Sequence, residues 1–202
     1  MAEHGVDEDK RETLRRFAAF GAATPLAGLG SRESDTSDVR DAIVGYVART
    51  PGAHFSKVRD DLQLGTGETQ HHLRRLLDAG TLVSRRDGDY RRFFPADRFT
   101  DFEQVALGFL RRDTPRALLL ACLRDPGRTG SALAAALDVS RPTVSTTGRA
   151  LAEAGLLDRE DGYRVAAPET VIKLLVRYAD SFDAAAATFA GDVDEYVTYT
   201  PK

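Results

Sequence analysis

The stretch Leu62–Phe94, LQLGTGETQHHLRRLLDAGTLVSRRDGDYRRFF, decides the fold. A short helix ends near Leu62. Leu64-Gly65-Thr66-Gly67 turns the chain, a second helix runs over 67–79, and Gly80 stops it, because glycine tolerates the left-handed backbone that ends helices. A β-hairpin follows from Leu82 to Phe94, its tip at Asp87-Gly88-Asp89. Helix, glycine-containing turn, helix and hairpin make up a winged helix-turn-helix, the arrangement that sets a recognition helix into a DNA major groove. Arg85, Arg86, Arg91 and Arg92 crowd the hairpin tip. Four guanidinium groups around one tight turn are awkward for a sheet edge with nothing to bind, and natural beside phosphates.

The helix 67–79 divides by angle, at about 100° per residue. Thr69, Leu73, Leu76 and Leu77 fall on a core side. Gly67, Glu68, His71, Arg74 and Arg75 fall on the other, with Gln70 on the flank. Gln70 and Arg74 carry side chains with bidentate preferences for adenine and guanine edges, and Gly67 lets the helix start approach a backbone closely. A bare solvated face has the same look, so the reading leans on the turn before it and the arginines after it. Adjacent residues on a helix diverge, so His71 and His72 do not share one ion. No Cys/His zinc spacing is present, and no metal or other cofactor is expected. His72 is expected to pack and His71 to lie at the surface.

Upstream, Ser37-Asp38 can cap a helix over about 38–49, with Val39, Ile43, Val44 and Val47 as its core stripe. Thr50-Pro51-Gly52 ends it. A helix over about 56–62 turns Val58 and Leu62 inward, with Phe55 as a staple. Residues 1–36 read as an N-terminal helix and a polar linker, SRESDTS at 31–37. Arg15-Arg16 before an apolar run has the look of a twin-arginine export signal. That run is too short for a bilayer, which takes ~20 residues, and no small-residue cleavage site closes it. The expected role is an amphipathic helix with Leu14, Phe17 and Ala18 on one face, docking on the body of the protein or on a partner subunit.

Net charge is −3 over 202 residues, with 42% hydrophobic and 29% charged residues, which fits a folded, soluble chain. The sum conceals an asymmetry. Residues 37–98 carry 11 Lys/Arg against 9 Asp/Glu, while residues 168–202 carry 3 against 6. The single cysteine, Cys122, excludes a disulfide framework and suits a reducing cytoplasm. There is no P-loop, Gly-x-Ser-x-Gly, His-Glu-x-x-His or Cys-x-x-Cys, so an enzyme is not expected.

The second half repeats the first. Adding 75 takes Pro51-Gly52 to Pro126-Gly127, Ser56 to Ser131, Leu62 to Leu137, Leu76 to Leu151, Ala79-Gly80 to Ala154-Gly155 and Leu82 to Leu157. In the hairpin the second copy is shorter, and Tyr163 aligns with Tyr90. The fold class is therefore mainly α with small β-hairpin wings (α+β). Two tandem winged helix-turn-helix domains span 37–98 and 113–167. A connector helix lies at 99–112, and a C-terminal helix with an acidic tail at 168–202. The second recognition-type helix, about 141–154, turns Pro142, Thr143, Ser145, Thr146 and Arg149 outward, a polar but nearly neutral set. The tail helix, Pro168 to about Phe182, carries Val171, Leu175, Tyr178 and Phe182 as a stripe that serves as core or as a dimer seam.

The stretch from Leu64 to Val83 resembles the recognition helix and start of the wing in ArsR/MarR-type regulators. The duplication resembles haloarchaeal regulators with two winged modules. The resemblance covers about residues 37–170. It implies binding of double-stranded DNA as a homodimer, in the cytoplasm and away from membranes. It gives neither operator nor effector, and the cysteine motif of metal-sensing relatives is missing. DNA-binding candidates are thus Gly67, Glu68, Gln70, His71, Arg74 and Arg75 on the helix and Arg85, Arg86, Arg91 and Arg92 on the wing, with Arg141, Thr143, Ser145, Thr146 and Arg149 in copy two. A structural adaptor built on tandem winged helices is the alternative; it has no need for four arginines on a wing.

Overall fold

The computed structural model describes residues 10, 12–18 and 31–195. It is mainly α with small antiparallel sheets, an α+β winged-helix architecture. The chain divides into two compact units, one up to Thr100 and one from Asp101.

In unit 1, residues 12–18 are helical (α1). Helix α2 (Ser31–Arg49) follows, then β1 (Ala53–His54), α3 (Phe55–Asp61), α4 (Thr66–Asp78), β2 (Leu82–Asp87) and β3 (Tyr90–Pro95). The segment 31–37 is the first part of α2, not a linker. It contains no Gly or Pro to interrupt a helix. Its packed portion supplies Ala42, Ile43, Tyr46 and Val47, all nearly solvent-free, to a core closed by Val58, Leu62, Leu73, Leu76 and Leu82. Leu14 of α1 is buried in that core and Phe17 packs against it, its ring 5.4 Å from Tyr46. The apolar run over 19–30 lies outside the described residues.

The turn between α3 and α4 is set by Gln63, whose φ of 54° is left-handed, and Leu64 is buried beneath it. Helix α4 begins after the extended Gly65, and Gly80, at φ 69°, ends its last turn. The sheet has the order β1-β3-β2. β2 and β3 pair from Leu82↔Pro95 to Asp87↔Tyr90, and β1 adds Ala53↔Phe93 and His54↔Arg92.

Unit 2 holds α5 (Asp101–Leu110), α6 (Asp113–Arg124), α7 (Gly130–Ala136), α8 (Arg141–Glu153), β4 (Leu157–Asp158), β5 (Arg164–Val165), α9 (Pro168–Arg177) and α10 (Ala184–Gly191). The repeat extends to the backbone. Gln63 and Asp138 are both left-handed, as are Gly52 and Gly127, and Gly80 and Gly155. The alignment of Tyr163 with Tyr90 does not hold. Tyr163 bridges Arg128 as Phe93 pairs with Ala53, so Tyr163 stands in the place of Phe93.

The single tail helix expected from Pro168 to Phe182 breaks instead at Tyr178. A 3₁₀ turn, Ala179–Ser181, intervenes, and Asp183 caps α10 by accepting the Ala186 N–H at 2.9 Å. Asp183 also takes two hydrogen bonds from the buried Arg116 guanidinium, at 3.0 and 2.6 Å. Of the expected stripe, Val171, Leu175 and Tyr178 are buried within the chain itself and form core, while Phe182 is half-buried. Burial pushes the Cys122 thiol up to about 11, which makes it an inert packing group.

Candidate nucleic-acid interface

Helix α4 is amphipathic as its spacing requires. Thr69, His72, Leu73 and Leu76 are buried, Leu77 is partly so, and Gly67, Gln70, His71, Arg74 and Arg75 are exposed. Thr69 Oγ1 donates back to Gly65 O at 2.9 Å, which satisfies a hydroxyl inside the core. Glu68 departs from the expectation of a reading residue. Its carboxylate accepts the Gly65 N–H at 3.2 Å and pairs with Lys10 Nζ at 3.1 Å. It caps the helix, and its charge is neutralised at the edge of the exposed face. Arg74 and Asp78 approach only to 4.0 Å with both side chains mostly in solvent, an ion pair too weak to hold Arg74.

The wing arginines divide by strand alternation. Residues directly opposite in the ladder share a face. Arg86↔Arg91 is one such pair and shares its face with Ser84↔Phe93; Arg85↔Arg92 lies on the other. Arg86 and Arg91 are exposed, and Arg85 is half-buried. Arg92 is buried, 2% exposed, against the expectation that all four face a ligand. It pairs with Asp87 and donates to Gly52 O at 3.0 Å. Its guanidinium is therefore a brace that ties the hairpin to the turn before β1. The wing's exposed basic edge consists of Arg91 and of Arg86, whose Nε donates to Gly88 O at 3.4 Å. Their companion is Ser84, whose hydroxyl accepts from Arg91 Nε at 2.9 Å. Composition could not single out Ser84; only the register does. Ser84, Arg86, Asp89, Tyr90 and Arg91 line a cleft of about 520 Å³.

A second recess lies between helix and wing. Its floor is Phe55, Leu73, Leu77 and Phe93, its rim carries Gln70, Arg74, Asp78 and Arg91, and its volume is about 640 Å³. Arg91 lines both spaces, so the exposed face of α4 and the edge of the wing make one continuous surface in unit 1.

In unit 2, Ser140 caps α8 by accepting the Thr143 N–H at 3.2 Å, and Thr143 Oγ1 lies 2.7 Å from the same hydroxyl. Thr143 is thereby occupied. Arg141, Ser145, Thr146 and Arg149 are exposed. In the hairpin the residue opposite Arg164 is Asp158, so no arginine pair forms across its strands. Arg159 lies over the Tyr163 ring at 5.3 Å instead.

Burial lowers the pKa of His72 from the ordinary 6.5, with the neighbouring His71 adding to the effect, and Nδ1 has no hydrogen-bond partner. Burial likewise lowers His54, and Arg92 adds to it. No group of three or more His, Cys, Asp or Glu among the described residues is placed to hold a metal ion. No helix among them is long and apolar enough to cross a membrane.

Over 130 residues the chain is 25% identical to an uncharacterized HTH-type transcriptional regulator of Methanocaldococcus jannaschii, an alignment that takes in 64% of this chain and 32% of that protein. The chain thus spans about a third of that relative's length. Residues 37–107, which contain α3, α4 and the wing, match the model of a family described as an N-terminal HTH domain.

Proposed function

We propose that the protein is a DNA-binding transcriptional regulator whose reading surface is in unit 1. The observation that carries the reading is the continuous exposed surface from Gln70 and Arg74 on α4 to Arg91 and Arg86 on the wing. The family match over 37–107 and the relative's description support it. Helix α4 enters the major groove, with Gln70, His71 and Arg74 at base edges and Gly67 close to the backbone. Arg86 and Arg91, with Ser84 beside them, hold phosphates, and Arg75 and Arg85 add positive potential. Unit 2 is an auxiliary reader through Arg141, Ser145, Thr146 and Arg149, or a docking unit. The protein acts as a homodimer in the cytoplasm and carries out no catalysis.

The test is a titration of fluorescent duplexes against salt. Arg86→Ala with Arg91→Ala should weaken binding to every sequence alike and lower the salt slope by about 2, one released counterion per lost phosphate contact. Arg74→Ala should cost ~1–3 kcal/mol on the preferred site and relax its specificity. If the native protein binds no duplex at low salt, or both variants bind as the native chain does, the reading fails.

A further inference from the structure

Helix α1 is fixed on unit 1 by its apolar side. Leu14 is buried in the core, and the Phe17 ring meets Tyr46 at 5.4 Å. Lys10, helical as well, stands one turn before Leu14, at the i, i+4 spacing that puts two side chains on one face. Its ammonium reaches the first turn of α4, where Nζ donates to Glu68 Oε2 at 3.1 Å. The same oxygen accepts the Gly65 N–H at 3.2 Å. An exposed ion pair usually gains little, because ordering a long lysine side chain offsets the attraction. Here Leu14 and Phe17 have already placed the backbone of α1, so less freedom is left to lose. Residues 10 and 12–18 lie ahead of the residues 37–107 that match the family, so the contact is not part of that match.

The pair bears on what α4 presents. Glu68 is the acid of its first turn. It lies three residues before His71 and seven before Arg75, the spacing of one helix side. The N–H groups of that turn and the positive end of the helix dipole suit a phosphate. A bare carboxylate in the same place would repel it. The side chains of Lys10 and Glu68 are 28% and 34% exposed, so the pair stands at the surface, where a phosphate can approach it.

We infer that Lys10 is a positioning residue of the reading helix: it holds the Glu68 carboxylate on the Gly65 amide and cancels its charge, so that the first turn of α4 accepts phosphates. The hold rests on the contacts of α1. Its effect on DNA rests on the function proposed above.

The experiment titrates a fluorescent duplex of mixed sequence with the full chain at low and high salt. Lys10→Gln should bind about fivefold more weakly at low salt, the scale of one exposed charge, and the gap should narrow as salt rises. Lys10→Arg should bind as the native chain does. Glu68→Gln added to Lys10→Gln removes the uncovered carboxylate and should return the affinity to within about twofold of native. Lys10→Gln should unfold in urea with the native chain, since an exposed pair adds little stability. Hydrogen exchange at the Gly65 amide, read by NMR without DNA, should quicken about threefold in Lys10→Gln as the cap loosens. Native affinity in Lys10→Gln overturns the screening. So does a loss that Glu68→Gln fails to restore, which would put Lys10 on a phosphate itself. Unchanged exchange at Gly65 overturns the hold. A native chain that binds duplex no better than Lys10→Gln loses this inference and keeps the proposed function. A native chain that binds no duplex loses the function and the screening together, and exchange at Gly65 still decides the hold.

Discussion

At the scale of single residues, side chains of one type meet different fates a few positions apart. Arg91 and Arg92 are neighbours on β3, yet one is exposed and the other is 2% exposed and paired with Asp87. Stability and binding should separate accordingly. Arg92→Gln removes a buried guanidinium from Asp87 and from Gly52 O at once, so urea unfolding should register a loss of about 3 kcal/mol. Arg91→Gln should stay within about 0.5 kcal/mol in the same assay, as exposed substitutions do, while it weakens DNA binding. Equal stability for the two would remove the brace. His72 gives a pH prediction of definite sign. Its folded pKa lies below the ordinary 6.5 because burial disfavours the imidazolium. The unfolded chain then takes up a proton that the folded ring refuses. Stability should be flat above pH 6.5 and fall as pH drops below it. His54, lowered for the same primary reason, contributes with the same sign. His72→Leu should flatten part of the decline between pH 7 and 5 in melting curves, and an unchanged slope would contradict its burial as a neutral ring.

At the scale of elements, what could be read from the sequence was what periodicity and glycine encode. Helix α4 spans Thr66–Asp78 because its leucines recur on one side and Gly80 ends it, and each of these signals is local. The two-residue strand β1 had no such signal; it forms beside a contact between distant positions, Gly52 N donating to Phe93 O at 2.8 Å. Four arginines at a tip looked like one basic cluster. Alternation along the strands sends them to two faces, and only the register decides which. The tail helix broke for a reason outside its own stripe: Asp183 answers Arg116 from another helix. The repeat was legible in spacing, but the hairpin alignment through two tyrosines was not, since tyrosine and phenylalanine exchange freely in a core. That correction bears on α8. With Tyr163 against Gly148, a methyl group has no room. Gly148→Ala should therefore cost about 1–3 kcal/mol by overpacking despite the better helix propensity of alanine. Combining it with Tyr163→Leu should cost less than the two single changes together. Strict additivity would mean that ring and helix do not press on each other.

At the scale of the whole molecule, the formal charge of −3 misleads, because the sum hides where the charges stand. Unit 1 joins Arg74, Arg91 and Arg86 along two adjoining recesses. Unit 2 repeats the backbone without repeating that charge: its hairpin is confined to Leu157–Val165, and Arg159 stacks on its own tyrosine. A duplicated fold with unequal electrostatics should bind unequally. Long-range attraction fades beyond roughly 8–10 Å at ordinary ionic strength, so the salt-dependent part of DNA affinity must come from the closest guanidinium groups. Arg141→Ala with Arg149→Ala in unit 2 should therefore change affinity by no more than about twofold and leave the salt slope within about 0.5 of native. The matched pair Arg86→Ala with Arg91→Ala removes two phosphate contacts. Both doubles delete two positive charges, so a difference between them measures position and not net charge. If they weaken binding to the same degree, the affinity belongs to the charge of the chain as a whole, and the wing of unit 1 has no special part in it.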